Sequence, residues 1–355
     1  MCPLVSELRS RGVFHTEVCV TAQHREMLDE VLKYFDVVPD HDLDIMRRGQ
    51  SLFEITHRAL EGLEMVIKKT APDVVLVHGD TTTAFAAALA AFYLHVPVGH
   101  VEAGLRSRNM YSPFPEEFNR CAISLAASYN FAPTATAKRA LINEGRRESS
   151  VFITGNTVID AMASTVREDY THPALEWARG HRLILITAHR RENIGEPMHG
   201  MFKAIRAALD RHGECRAVYP IHPNPRVREI AEEELGGCDR IRLIEPLSVM
   251  DCHNFEARCY LCLTDSGGMQ EECSAFGRPV LVMRDTTERP EGIAAGSAKL
   301  VGTNERGVYE AFDRLLSDEA EYAAMSRVRN PYGDGKACRR IADVLQYGGC
   351  KEWSP

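Results

Sequence analysis

The feature that most narrows the fold is an alternation of short apolar runs with amphipathic stretches along almost the whole chain. Apolar runs at Glu17–Thr21, Asp73–Val77, Pro97–Val101, Tyr129–Ala132 and Val151–Thr154 are short and nearly continuous, as strands buried on both faces are. Between them, Arg25–Tyr34, Ser51–Lys69, the alanine-rich Thr83–Leu94, Pro115–Ala127 and Lys138–Glu144 carry apolar residues at helical spacing. A stretch containing Pro, Gly and His, Thr171–His181, reads as a hinge. A second alternation follows it, with strands at Arg182–Thr187, Arg216–Pro220, Arg240–Ile244, Tyr260–Leu263 and Pro279–Met283, and closing helices at Asn304–Leu316, Glu319–Arg327 and Lys336–Gln346. The pattern predicts an α/β fold of two Rossmann-like halves, residues 1–168 and 169–333, whose strand ends face one another across a cleft.

Composition sets limits on the ligand. Lys and Arg number 42 against 50 Asp and Glu, a net charge of −8, so no basic field is available to attract nucleic acid or an anionic membrane surface. An anionic ligand must be held by local donors. The absence of a membrane-length apolar run or a charged-then-apolar leader points to a cytoplasmic protein. Eleven cysteines are scattered, mostly in apolar segments, as reduced core thiols are. Cys259 and Cys262 make a C-x-x-C that can be read as core thiols or as a redox or zinc pair. Within one strand, positions three apart face opposite ways, which favours the core.

Polar residues collect where the apolar runs stop: His78 and Asp80, Glu102 and Arg106, His189 and Arg190, His222, and Asp265 with Ser266. Asp80, before Thr81 and Thr82, also suits a helix N-cap. In Leu261–Glu272 a strand breaks at Ser266-Gly267-Gly268 and a helix follows from Met269 to Phe276. Such a turn aims unpaired amides and the positive end of a helix dipole at one spot, where a phosphate is the natural guest. Ser266 adds a hydroxyl, and Glu272, a turn further on, can take ribose hydroxyls. A tight packing turn is the alternative. Asp80, Glu102 and Glu116 are the carboxylates placed for acid–base work, while His189, Arg190 and Arg289 offer charge to a diphosphate. A metal site from His78, Asp80, His100 and Glu102 is the other use of the same residues; its spacing matches no compact ligand motif.

A set of short motifs then carries a resemblance. They are Thr21-Ala-Gln-His-Arg25, Val77-His-Gly-Asp-Thr-Thr82, Gly99-His-Val-Glu-Ala-Gly-Leu-Arg106, Ser112-Pro-Phe-Pro-Glu-Glu117, Thr154-Gly-Asn-Thr157, Ala188-His-Arg-Arg-Glu192, Thr264-Asp-Ser-Gly-Gly268, Gln270-Glu-Glu272, Arg284-Asp-Thr-Thr-Glu-Arg-Pro290 and Asn330-Pro-Tyr-Gly-Asp-Gly335. In this order the chain resembles the bacterial non-hydrolysing UDP-N-acetylglucosamine 2-epimerases. The resemblance implies a GT-B architecture, a homodimer, and interconversion of UDP-GlcNAc and UDP-ManNAc without a cofactor or metal. It implies that a terminal helix, about 334–355, packs back on the first domain, and that the second domain binds UDP. Asp80, Glu102 and Glu116 resemble the family's acid–base carboxylates and His189 a substrate contact. Ser266, Gly267, Gly268, Glu272 and Arg289 match its nucleotide site, with Arg190, His222 and Cys252 nearby. Some members are regulated by UDP-GlcNAc through residues near Gln23 and Glu26. A GT-B glycosyltransferase, a hydrolysing epimerase and a silent sugar-nucleotide-binding protein are the alternative readings.

Two departures from the family pattern carry expectations. The family opens with a strand and a Gly-Thr-Arg-Pro-Glu loop, and Met1-Cys-Pro-Leu-Val falls just after a Lys that follows it. A first strand and loop of about 10–15 residues is therefore expected upstream of Met1, and a chain lacking it is expected to be poorly stable and weakly active. Cys252 stands where the family usually stacks an aromatic ring on uracil. Restoring a ring with Cys252→Phe is expected to tighten UDP binding by up to about 1–3 kcal/mol, read by calorimetric titration; unchanged affinity excludes a stacking deficit at this position.

Overall fold

The computed structural model describes residues 1–23, 25–47 and 49–355. His24 of the Thr21–Arg25 motif and the Glu26 side chain lie outside the described part. The chain divides into two compact units, Met1–Ala161 with Tyr332–Ser354, and Met162–Pro331 with Pro355.

In the first unit, strands β1 (Cys19–Val20) and β2 (His41–Asp42) pair as a small parallel sheet. Strands β3 (Val75–His78), β4 (Val98–Val101), β5 (Tyr129–Ala132) and β6 (Val151–Ile153) form a second parallel sheet in sequential order. Local chemistry explains the connecting helices. Ser51 accepts from the Glu54 amide, and the Glu54 carboxylate accepts from the Ser51 amide, a capping box that starts the Leu52–Thr70 helix. Ala71 ends that helix in a left-handed conformation, and Pro72 prevents its continuation.

A helix at Cys2–Ser10, which lies before the alternation read from the sequence, buries Leu4 and Leu8 against Val101 and Phe131 of the sheet. The same cluster takes in Cys338, Ile341, Ala342 and Val344 of the Ala337–Tyr347 helix. Asp160 accepts from the Ala337 and Cys338 amides at 3.1 and 2.8 Å, capping the returning helix from a neighbouring one.

In the second unit, β7 (Arg182–Thr187), β8 (Cys215–Pro220), β9 (Ile241–Ile244), β10 (Leu261–Thr264), β11 (Val280–Val282) and β12 (Ala298–Leu300) make one parallel sheet ordered β12-β11-β10-β7-β8-β9. The apolar runs are continuous because both faces are covered. Ile184, Ile186, Leu261, Leu263 and Leu281 enter one core cluster, and Leu183, Leu185, Cys262, Val280 and Val282 enter another. Strand order reverses direction between β7 and β10, and in open α/β sheets this switch point is where ligands settle.

The opposite-face expectation for Cys259 and Cys262 is corrected. Cys259 ends the Val249–Arg258 helix and lies outside the strand, so both thiols, with Cys273, pack into one apolar cluster. All are free thiols. No helix among the described residues is long and apolar enough to cross a membrane.

His100, on β4, is wholly buried, and its Nε2 meets the Gly79 carbonyl oxygen at 2.8 Å. Burial is the main cause that pushes its pKa down to about 3. The unfolded chain therefore takes up a proton near pH 6.5 that the folded chain refuses, so the stability this group contributes is present above about pH 6.5 and lost as pH falls below it. In denaturant titrations, moving from about pH 7 to about pH 5 should lower the unfolding midpoint of the parent protein more than that of His100→Gln; equal decreases would exclude this account.

Candidate functional site

In the first unit Asp80 and Glu102 stand at adjoining strand ends. Gly79, in the left-handed region at φ +66°, turns the chain out of β3. Thr81, not Asp80, caps the following helix by accepting from the Ala84 amide at 3.2 Å. The N-cap alternative for Asp80 is thereby corrected. Asp80 Oδ2 instead accepts from Arg120 at 2.5 Å, and its carbonyl accepts from Asn119 Nδ2 at 2.8 Å. Glu102 leaves β4 with φ +65°, a conformation uncommon away from glycine. Its Oε1 accepts from Asn156 Nδ2 at 3.1 Å. A Cβ on Gly79 would lie 3.1 Å from Glu102 Oε2, so the two strand-end turns are in contact.

Glu116 is in the first turn of the Glu116–Ala126 helix, one turn before Arg120, which reaches Asp80. Its neighbour Glu117 has a structural task. At 1% exposure it accepts from the Ser107 and Arg108 amides and pairs with Arg120 at 3.2 Å. Asn156 is itself fixed, because its amide donates to the Tyr332 carbonyl at 2.7 Å. The Thr154–Thr157 and Asn330–Gly335 motifs thus act on Glu102 through Asn156. His78 meets Thr157 Oγ1 at 3.4 Å, and burial is the main cause that brings its pKa down to about 3.

The alternative metal set does not assemble. Asp80, His100 and Glu102 spend polar atoms on Arg120, Gly79 and Asn156, and the four residues do not converge as a ligand group among the described residues.

In the second unit the site lies at the switch point. Asp265, fully buried, accepts from the His189 amide at 3.0 and 3.1 Å, the Arg190 amide at 2.9 Å and Asn193 Nδ2 at 3.0 Å. One carboxylate thereby ties the turn after β7 to the turn after β10. The His189 ring is partly exposed, with Nδ1 3.6 Å from Asp265 Oδ1, and it stacks on His222 with centroids 5.5 Å apart. Burial first, then His189, lowers the His222 pKa.

Ser266 is the N-cap of the Gly267–Ala275 helix, which starts two residues before the expected Met269. Its side chain makes no capping bond, so the hydroxyl and the first-turn amides are available to an anion. Gly267 is required by close approach, since a Cβ there would lie 2.5 Å from Arg289 NH1 and 2.6 Å from Glu288 Oε1. A Cβ on Gly268 would meet Glu272 Oε1 at an ordinary 3.4 Å.

Arg289 is largely committed inside the protein. Its Nε donates to Glu271 at 2.5 Å and its NH1 to Glu288 at 2.7 Å. Arg284 also binds Glu288, at 2.9 Å, and Arg190 approaches it at 3.6 Å. Burial opposes the Glu288 charge, but Arg289, Arg284 and Arg190 outweigh it and bring its pKa to about 2. Gln270 links the turns further, donating to the Ser266 carbonyl at 3.1 Å and accepting from Thr287 at 2.8 Å.

Cys252, on the Val249–Arg258 helix, lies 3.2 Å from Glu256 Oε1 and 3.8 Å from Met269 Sδ. Burial, then the Glu272 charge, pushes the Glu256 carboxyl well above the usual carboxylate range. Glu256 was missed by motif reading, as were the Asp80 partner Arg120 and the connecting role of Asp265. The Glu116–Arg120 and Cys252–Glu256 spacings of four residues were the signals present.

The UDP-N-acetylglucosamine 2-epimerase family profile matches residues 6–346. The chain is 54% identical over 354 residues to the UDP-N-acetylglucosamine 2-epimerase of Bacillus subtilis (strain 168), covering 99% of this chain and 93% of that one. The MnaA protein of S. aureus, solved with UDP, matches with a TM-score of 0.95 at 50% identity, over 100% of this chain and 96% of that one. The UDP-GlcNAc 2-epimerase of Neisseria meningitidis, solved with UDP-GlcNAc, matches with a TM-score of 0.92 at 43% identity, over 98% and 95%.

The two glycines of the turn should respond differently to a methyl group. Gly267→Ala has to push Arg289 off buried carboxylates, and a loss of about 3 kcal/mol of unfolding free energy is expected by denaturant titration. Gly268→Ala is expected to cost less than about 1 kcal/mol. Equal effects would mean that the Arg289 contact does not constrain the turn.

Proposed function

The chain belongs to the UDP-N-acetylglucosamine 2-epimerase family, and on that basis we propose that it interconverts UDP-GlcNAc and UDP-ManNAc by eliminating UDP across C1–C2 and adding it back. The enzyme is an isomerase. The C2–H of a 2-acetamido sugar has no adjacent carbonyl, so its proton cannot leave as from an ordinary α-carbon. Elimination solves this. A carboxylate takes the C2 proton, the electron pair becomes the C1–C2 double bond of 2-acetamidoglucal, and the C1–O bond breaks toward UDP. In the return step UDP oxygen adds to C1 and a proton reaches C2 from the opposite face.

The work divides by unit. The second unit holds the nucleotide: the amides after Ser266, its hydroxyl and Arg190 take the diphosphate, and Glu272 takes ribose hydroxyls. Charge develops on the leaving diphosphate, so donors already fixed by Asp265 and Glu288 stabilise it without rearranging. Arg289 acts mainly by holding that framework through Glu271 and Glu288. The first unit supplies the proton-transfer groups Asp80, Glu102 and Glu116, and His189 contacts the substrate. The reading extends to a homodimer.

The observation that most supports it is the contact between the Asp80 and Glu102 turns, with Arg120 fixing one carboxylate and Asn156 the other. Acid–base pairs need such fixed carboxylates at the reacting carbon. Incubation with UDP-GlcNAc in D₂O should yield UDP-ManNAc and deuterium at C2, and Asp80→Asn or Glu102→Gln should lower kcat by about 100- to 10,000-fold. Product formed with C2 protium retained would overturn the elimination route. A requirement for an acceptor sugar would point to transfer instead.

A further inference from the structure

The proposed chemistry uses Glu272 and leaves unexplained why a second glutamate stands behind it. Glu272, on the Gly267–Ala275 helix, folds back over the glycine turn: a Cβ on Gly268 would lie 3.4 Å from its Oε1 and 3.8 Å from its Oε2. Glu256, on the Val249–Arg258 helix, is fully buried and hydrogen-bonded to Glu272 across the two helices. The Cys252 thiol, one turn earlier, donates to Glu256 Oε1 at 3.2 Å. One ring nitrogen of His253 and one oxygen of each carboxyl lie within 4.8 Å of one another.

Two ionised carboxylates cannot hydrogen-bond to each other, because both only accept. The contact therefore needs a proton on one of them, as in other adjoining carboxyl pairs where one member stays neutral. Burial decides which. Glu256 is enclosed, with the thiols of Cys252, Cys259, Cys262 and Cys273 around it, whereas Glu272 is only half-buried. His253 supplies no balancing charge, since burial brings its pKa down to about 4 and the ring stays neutral, its Nδ1 meeting Thr165 Oγ1 at 2.7 Å. The charge thus rests on Glu272 and the proton on Glu256, whose Oε1 accepts from Cys252 and whose Oε2 is left to carry it. A carboxylate accepts through several lone pairs, so the bond from Glu256 fixes the plane of Glu272 while leaving it able to accept from a diol.

We propose that Glu256 is a positioning residue for nucleotide selection: as a neutral acid it donates a hydrogen bond to Glu272 and fixes that carboxylate to accept from both ribose hydroxyls, so that the site discriminates against a nucleotide lacking one. The selection rests on the reading of Glu272 as the ribose contact. The shared proton stands on the two carboxyls alone.

Two measurements separate these parts. In protein carrying ¹³C-labelled glutamate carboxyls, one resonance should keep the shift of a protonated acid at neutral pH and be missing from Glu256→Gln. No such resonance in the parent, or its persistence in Glu256→Gln, would overturn the shared proton. Affinities for UDP and 2′-deoxy-UDP are then compared by calorimetry, where the parent should prefer UDP by about ten-fold or more. Glu256→Gln keeps a donor toward Glu272 and should retain that preference. Glu256→Leu, similar in size but without a donor, should lose most of it while keeping a native circular dichroism spectrum. A Leu variant as selective as the parent would overturn the positioning role, and so would a Gln variant that loses selectivity, whether or not the Leu variant folds. If the parent and Glu272→Gln both bind the two nucleotides alike, the ribose reading of Glu272 fails, and the carboxyl resonance still decides the shared proton.

Discussion

The switch point of the second unit depends on one buried carboxylate. Asp265 accepts hydrogen bonds from two backbone amides and a side-chain amide of the segment after β7, while its own residue begins the turn after β10. A carboxylate taken out of water has to be repaid by such donors, and charge-assisted bonds of this kind are the strong ones. The result is that the two strand ends flanking the switch point are held as one piece. Whatever binds there meets donors that are already in position.

The next layer follows the same logic with more charge. Glu288 draws Arg284, Arg289 and Arg190 together, and Glu271 holds Arg289 from the other side. Gly267 exists in the gap these groups leave. Removing one partner from such a network strands its neighbours, which is why residues with no direct contact to a ligand can decide the shape of its site. Asp80 is steadied by Arg120 and Glu102 by Asn156, and the backbone of Tyr332 steadies Asn156 in turn.

How far the sequence could be read depended on the range of the interaction. The β–α alternation, the apolar strands and the glycine turn after β10 are local patterns and were legible. So was the family, because many short motifs in one order are specific together. The thiols Cys259 and Cys262 were misplaced because a helix boundary decides their direction, and helix ends are poorly marked by periodicity. Asp80 was open to a capping role because Thr81 can do the same task one residue later. Glu256 had only its spacing from Cys252 to mark it, and its meaning comes from Glu272 on a different helix.

By itself, the order of residues determined most of the strands and helices, the positions of polar groups at strand ends and the glycine turn after β10, since each follows from periodicity, capping or glycine within a few residues. Only the tertiary structure decided which of those polar groups hold one another: Arg120 on Asp80, Asn156 on Glu102, Asp265 on the His189 turn, Glu288 among three arginines. Arg120 and Asp80 are 40 residues apart, Asn156 and Glu102 54, and Asp265 and His189 76, while Glu288 gathers Arg190 from a distant turn beside its near neighbours Arg284 and Arg289. Their pairing is set by sheet order and burial, because a buried charge takes whichever partner the packing brings within reach.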